Sequence, residues 1–466
     1  MRKTKIICTI GPASSRFETL EKMIEAGMDV VRLNMSHGDH DSHLKIIKAI
    51  KTLNQRVRYP VPILLDTQGP EIRTGDVSQD FNLAKDSVVS ISVRDKIDVE
   101  ERSIHINYED LMNTVSVGDR ITVDNGLINL EVLSMSDRHM TCKVLDGGVL
   151  KSKRHVNLPG IRVNLPSITE KDEKDILFGM EHDVDFIALS FVREAADILS
   201  LQSLLGEKAK KIKIIAKIED QEGVKNIAEI IEVADGVMVA RGDLGVEINI
   251  EDLPNVQRQI VRQCSEAGRR VIVATHLLES MIDHPIPTRA EVTDVANAVY
   301  EEVDAIMLSG ETTVGKYPIK CIEYLDRIAK QTEKIPGLRY AHQLKKITDK
   351  QHLAAAAVDL SESLDAAGMV VITRRGFMAD FLTNCRGPRI PIYAFTNVSR
   401  TRRQLMLNRN VYPFRIALSA DPERTLATAF NVLKARASLQ SGDKVVVVSD
   451  ILEGTGIEAI QIRHLP

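Results

Sequence analysis

Residues 213–245 read KIIAKIEDQEGVKNIAEIIEVADGVMVARGDLG, and the order of apolar and charged residues in them decides the fold. Two runs, 212–218 and 237–240, are short and rich in Ile and Val, as strands are. Between them, residues 223–234 carry Val224, Ile227, Ile230 and Ile231 at helical spacing. Strand, helix, strand implies a parallel sheet, because parallel neighbours need a crossover between them. Lys217, Glu219, Arg241 and Asp243 fall at the strand ends, the edge where parallel α/β folds bind ligands. Such charges can form a structural salt-bridge cluster instead. Two acids beside a lysine favour a site: a hard divalent cation takes carboxylate oxygens, and a strand-end lysine suits a phosphoryl group.

Upstream, the same rhythm predicts strands at 5–10, 29–35 and 62–65, with helices at 17–27 and 40–53 between them. Arg32 lies inside the second strand. An arginine there is costly to bury unpaired, so it meets either a bound anion or an internal carboxylate. Asn34, Ser36 and His37 follow that strand, and Asp66-Thr67 follows the third. Downstream, strands are expected at 185–190, 270–274 and 304–308, ending near Thr275 and Ser309. Helices fall at 169–181, 197–205, 252–267, 289–301 and 319–330; the first opens on a Thr with acids in its first turn, a capping signal. Eight strand–helix units predict a (β/α)8 TIM barrel, which brings every strand end to one mouth.

Two segments break the rhythm. From about residue 72 to 163 the apolar residues alternate with period two between Asn-Gly, Asp-Gly and Gly-Gly turns, the pattern of an inserted small all-β domain, here expected to be a β-barrel acting as a lid. Arg73, Lys153 and Arg154 lie at its two ends. After a charged linker at 334–350, a C-terminal α/β domain begins, with strands expected at 369–373, 392–396 and 444–449, a final run at 459–464, and helices at 354–364, 377–385, 401–409 and 423–438. The boundaries are 1–69 and 167–335 for the barrel, 70–166 for the insert and 336–466 for the C-terminal domain.

Composition excludes several classes. The 466 residues are 44% hydrophobic and 27% charged, an ordinary soluble balance for two or three domains. A net charge of -4 argues against nucleic acid as a partner, and no run is long enough for a membrane span. Five scattered cysteines without a CxxC pair argue against disulfides or zinc and for a reducing, cytoplasmic setting.

The runs TIGPAS, VVRLNMSHG, LLDTQGPEIRTG, IIAKIEDQEGV, VARGDLGVE, LLESMI, PTRAEVTDVANAV and IMLSGETTVGKYP occur in that order across the barrel. Together they resemble the motifs of the pyruvate kinase family, and the resemblance extends over nearly the whole chain. It implies phosphoryl transfer from phosphoenolpyruvate to ADP. Lys217, Arg32, Thr275 and Ser309 would be catalytic; Gly242 and Asp243 would join Arg32, Lys217 and Thr275 in binding substrate. Glu219 and Asp243 would hold Mg2+ (or Mn2+), and Asn34, Ser36, Asp66 and Thr67 would hold K+. Glu71 is the residue found in potassium-requiring members. Asn34, His37, Arg73 and Arg154 would face the nucleotide. The resemblance also implies a homotetramer and regulation through the C-terminal domain. There Thr373, Arg374, Arg375 and Gly376 form a basic loop for a phosphorylated effector, with residues 453–456 as a second loop. The chain departs from the family at His276, where Gln is usual, and at Gln68, where Lys is common. A different barrel enzyme acting on phosphoenolpyruvate or pyruvate, and a non-catalytic paralogue, are the competing readings. Lys217, the insert and the Arg32-Asn34-Ser36 cluster argue against the first, and the complete set of chemical positions against the second.

Overall fold

Eight parallel strands close on themselves: β1 (Lys5–Thr9), β2 (Val30–Asn34), β3 (Ile63–Asp66), β4 (Phe186–Leu189), β5 (Lys213–Ile218), β6 (Gly236–Ala240), β7 (Arg270–Ala274) and β8 (Ala305–Leu308). Each pairs with its sequence neighbours, and β8 returns to β1 with Ile6 opposite Ile306. The structure, a computed structural model, describes residues 1–466 except 78–79, 94–102, 125, 137–138, 162, 164 and 453–456.

Alternation along the strands builds two cores. Ile6, Val31, Leu65, Ile187 and Ala216 point outward and pack under the helices. Ile7, Val30, Leu64, Ala188 and Ile215 point inward and fill the barrel. Both faces are apolar, so these strands read as continuous hydrophobic runs. The helix expected at 169–181 spans Glu170–Glu181 and starts with a full capping box between Thr169 and Asp172. The single helix expected at 223–234 is two, Gln221–Lys225 and Ile227–Val233, with Asn226 between them.

The insert holds its own core, with Ile91, Ile121, Leu130 and Val144 at its centre. Its described strands form a six-stranded sheet and a two-stranded ribbon, so the insert is all-β apart from the single turn of helix at Leu111–Thr114. A parallel pair, Val88–Ser92 with Ser103–His105, sits at the sheet's edge among otherwise antiparallel neighbours.

The C-terminal sheet has the order β11-β10-β9-β12-β13, formed by β9 (Gly368–Ile372), β10 (Ile392–Thr396), β11 (Val411–Arg415), β12 (Lys444–Leu452) and β13 (Ile457–His464). Strand β11 corrects the sequence reading, which ran a helix over 401–409 and left this segment unassigned. The helix stops at Gln404, and Pro413 lies within β11. Proline cannot donate to a ladder, and β11 is an edge strand where no donor is missed. The domain closes the barrel's lower end: Leu407 joins the barrel's interior cluster. Beside it, buried Asp304 receives Arg386 through two bonds of 2.7 and 2.6 Å and Arg270 at 3.1 Å.

Candidate active site

The inward parity of the barrel strands sets the site. One step beyond Ile7, Val30, Leu64, Ala188 and Ile215 come Thr9, Arg32, Asp66, Ser190 and Lys217, so the apolar layers end in a polar one at the mouth. Arg32 Nε donates to Asp66 Oδ2 at 2.6 Å, and its Nη1 donates to Thr9 Oγ1 at 2.9 Å. Lys217 Nζ lies 3.0 Å from Asp66 Oδ1 and 3.0 Å from Glu219 Oε1. The four charged side chains are at most 10% exposed. Arg32 therefore meets an internal carboxylate, and that carboxylate is itself part of the mouth.

Burial alone would lower the Lys217 ammonium, but Asp66 and Glu219 overcome it and hold the pKa above the ordinary lysine range. Asp66 is likewise held below the ordinary carboxylate range: its burial is outweighed by Arg32 and Lys217. Glu219 goes the other way. Burial and the neighbouring Asp243 carboxylate push it up to about 7 against the pull of Lys217. Two carboxylates that repel each other in a buried mouth are a donor set that a hard divalent cation satisfies. Among the described residues no cluster of three or more His, Cys, Asp or Glu is arranged for a metal, so substrate oxygens and water would complete such a shell.

Asp243 stands in the first turn of Arg241–Glu247. Arg241, the fourth charge of the opening stretch, is structural: it is buried, with Nη1 on Asp294 Oδ1 at 2.7 Å and Nη2 on the Thr275 carbonyl at 2.6 Å. Gly242 N donates to Thr275 Oγ1 at 2.8 Å, which ties the two expected substrate-binding positions together. Thr275 has φ 70°, and exposed His276 follows at φ 54°. A β-branched residue in the left-handed region is strained, a feature concentrated at functional sites. Ser309 Oγ is buried without a hydrogen-bond partner among the described residues.

The expected cation pocket is partly joined by hydrogen bonds. Asn34 lies opposite Asp66 in the β2–β3 register, and its Oδ1 accepts from Ser36 N at 3.2 Å. Thr67 is held from the next strand, where Ser190 Oγ donates to its carbonyl at 2.7 Å. Gly69, at φ 77°, lies so close to Ser190 that a Cβ would approach its Cβ to 2.7 Å, so the turn after Thr67 requires glycine. Asp172, the capping residue, accepts from the amides of Gln68 and Gly69, both at 3.0 Å.

The nucleotide positions are spread along the rim. His37 is exposed. Arg73 pairs with Glu71 at 2.6 Å and donates to the Lys153 carbonyl at 2.9 Å, so it staples the two chains that enter and leave the insert. Arg154 reaches Asp124 at 3.3 Å. On the barrel side, Asn157 Nδ2 donates to Glu247 Oε1 at 2.6 Å across a crevice of about 170 Å3. In the C-terminal domain, Thr373–Gly376 connects β9 to helix Phe377–Asn384, with Arg374 and Arg375 exposed and Gly376 N bonded to Thr373 Oγ1 at 2.9 Å. It lies apart from the mouth. The second loop, 453–456, falls outside the described residues.

Sequence reasoning missed Ser190 and Thr9. Ser190 Oγ accepts from Lys217 Nζ at 2.6 Å, and the neighbouring amide of Phe191 donates to Glu219 Oε2 at 2.7 Å. The available signal was position: both Ser190 and Thr9 continue the inward parity of their strands.

The pyruvate kinase barrel-domain model matches residues 1–322, and the pyruvate kinase alpha/beta-domain model matches residues 351–461. The chain is 43% identical over 475 residues to a pyruvate kinase of Geobacillus stearothermophilus, covering 100% of this chain and 80% of that protein. It is 41% identical over 467 residues to the chloroplastic pyruvate kinase isozyme G of Nicotiana tabacum, covering 99% and 82%. The crystal structure of a pyruvate kinase from Cryptosporidium parvum superimposes with a TM-score of 0.94 at 35% identity, covering 100% of this chain and 96% of that one. With both family models spanning most of the chain and the charged layer lying at the mouth of the barrel, the chain belongs to the pyruvate kinase family.

Proposed function

We propose that the chain transfers the phosphoryl group of phosphoenolpyruvate to ADP, giving pyruvate and ATP, at the mouth built on Arg32, Asp66, Lys217 and Glu219. The ion-pair network joining these four side chains carries the reading. Phosphoryl transfer asks little covalent work of a protein and much electrostatic positioning. Lys217 stays protonated and stabilises negative charge on the equatorial oxygens of the group in flight. Arg32 anchors the phosphoryl end of the substrate. Glu219 and Asp243 hold a magnesium or manganese ion, which when bound supplies positive charge to substrate oxygens. Asn34, Ser36, Asp66 and Thr67 hold potassium. The backbone amides of Gly242 and Asp243, at the start of the helix Arg241–Glu247, bind the substrate carboxylate, the Gly242 N–H turning to it from the Thr275 hydroxyl, its partner in this structure.

The phosphorus–oxygen bond of phosphoenolpyruvate breaks and a new one forms to a terminal β-phosphate oxygen of ADP. The enolate left behind takes a proton at its terminal carbon. Thr275 and the unpartnered Ser309 hydroxyl line the route for that proton. Asn34, His37, Arg73 and Arg154 meet the nucleotide when the insert closes. Thr373, Arg374, Arg375 and Gly376 hold a phosphorylated effector, and the chain assembles as a homotetramer in a cytoplasmic setting. Free cysteines suit that setting, and no helix among the described residues is long and apolar enough to cross a membrane.

The test is pyruvate formation from phosphoenolpyruvate and ADP, with and without magnesium and potassium. Turnover that needs both cations supports the reading. Turnover indifferent to both contradicts it.

A further inference from the structure

On the side of the barrel away from the mouth, a cavity of about 340 Å3 opens between the barrel and the C-terminal domain. Lys51, Arg402, Arg403 and Arg415 line it with two acids, Asp183 and Asp185. The acids are already engaged. Arg403 Nε donates to Asp185 at 2.8 and 3.0 Å, its Nη2 donates to Asp183 at 3.1 Å, and Arg400 also pairs with Asp183. Among the described residues, Lys51, Arg402 and Arg415 have no carboxylate in ion-pair contact.

Arg402 is fixed in place. Its Nη2 donates to the Arg58 carbonyl at 2.8 Å and its Nε reaches the Pro413 carbonyl at 3.4 Å, which leaves Nη1 without a partner among the described residues. Burial, then repulsion from Arg436 and Arg415, holds its guanidinium below the ordinary arginine range. Like charges gathered in a part-buried recess repel one another until an anion joins them, and a planar guanidinium matches phosphate oxygens.

We propose that this cavity binds phosphate, as the free ion or as the monoester of a small metabolite, through Arg402, Arg415 and Lys51. The site is distinct from both the catalytic mouth and the 373–376 loop. Lys51 belongs to the barrel helix His40–Leu53, while Arg402 and Arg415 belong to the C-terminal domain. An anion there ties the two domains together and stabilises their docking by mass action.

Equilibrium dialysis of the full chain with inorganic phosphate, and separately with glycerol 2-phosphate at equal ionic strength, tests this. The wild type is compared with Arg402→Gln/Arg415→Gln, with Arg415→Gln alone, and with Arg374→Gln/Arg375→Gln. The double variant at 402 and 415 should lose one bound phosphate per chain, and the 374/375 variant should keep it. Turnover in phosphate-free buffer should match the wild type in the 402/415 variant. Arg415 is exposed and has no ion-pair partner among the described residues, so Arg415→Gln should fold normally and bind about tenfold more weakly, the loss of one charge-assisted contact. Tighter retention of the monoester assigns an organic phosphate, and equal or tighter retention of the inorganic ion assigns the free ion. Unchanged binding in both Arg415 variants, or loss only in the 374/375 variant, overturns the proposal.

Discussion

Lys217 Nζ and Ser190 Oγ are 2.6 Å apart, and the same hydroxyl donates to the Thr67 carbonyl at 2.7 Å. One serine thus links the ammonium of β5 to the turn after β3, where the cation pocket is expected. With its proton committed to Thr67, the oxygen presents a lone pair to the ammonium, which fixes the Lys217 tip without neutralising it. Ser190→Ala should lower kcat about tenfold to a hundredfold, the range for losing one hydrogen bond to a charged group. It should also raise the potassium concentration needed for half-maximal rate. Steady-state rates against potassium check it, and an unchanged potassium dependence contradicts the link.

Thr275 carries strain that its hydroxyl must justify. At φ 70° a threonine costs on the order of 1–2 kcal/mol, which glycine does not incur. Thr275→Gly should therefore leave the melting temperature level or higher while kcat falls by about a hundredfold or more, as expected when a group acting at the reacting centre is lost. Thermal unfolding and kinetics on one preparation decide it. A variant that loses stability and activity together would make Thr275 a structural residue.

Glu247 gives the junction between barrel and insert a pH dependence. Burial pushes its carboxyl up to about 7, against the hydrogen bond from Asn157 and with help from Asp220 and Asp243. In the unfolded chain it ionises near pH ~4.3. An acid with a raised folded pKa destabilises the fold increasingly as pH climbs from that lower value, and the full penalty is reached above about 7. Glu247→Gln should melt at nearly the wild-type temperature at pH 4 and above it at pH 8. A difference that does not grow with pH contradicts this.

Asp304 works in the opposite sense. Its burial is overcome by Arg386 and Arg270, which bring its carboxyl down to about 2. Its contribution is complete above the ordinary carboxylate value of about 3.9 and drains away as pH falls toward 2. Asp304→Asn leaves two buried guanidinium groups poorly matched and should cost about 3–5 kcal/mol. Denaturant unfolding at pH 7 measures the loss. A cost below about 1 kcal/mol, the range of an exposed pair, would mean the clamp contributes little.

The barrel was legible because its strands are short, continuous apolar runs set between helically spaced segments, so Arg32, Asp66 and Lys217 could be placed at strand ends from the sequence. Ser190 was not, since a small hydroxyl at a strand end gives no signal until the partner it touches is known. Strand β11 was hidden by Pro413, which is tolerated only because nothing pairs beyond that edge. Arg241 looked like part of the site and proved to be held by Asp294, 53 positions away. The Asn157–Glu247 contact and the seam around Arg402 join segments distant along the chain, and periodicity carries no information about such meetings.

The central claim is that Lys217, buried between Asp66 and Glu219, supplies the charge that stabilises the transferring phosphoryl group. Lys217→Met tests it most directly, through the rate of pyruvate formation at saturating phosphoenolpyruvate, ADP, magnesium and potassium. The account predicts a fall in kcat of about a thousandfold, the scale of removing a preorganised electrostatic donor, in a variant that still melts cooperatively. A folded variant that turns over within a few-fold of the wild type would contradict it.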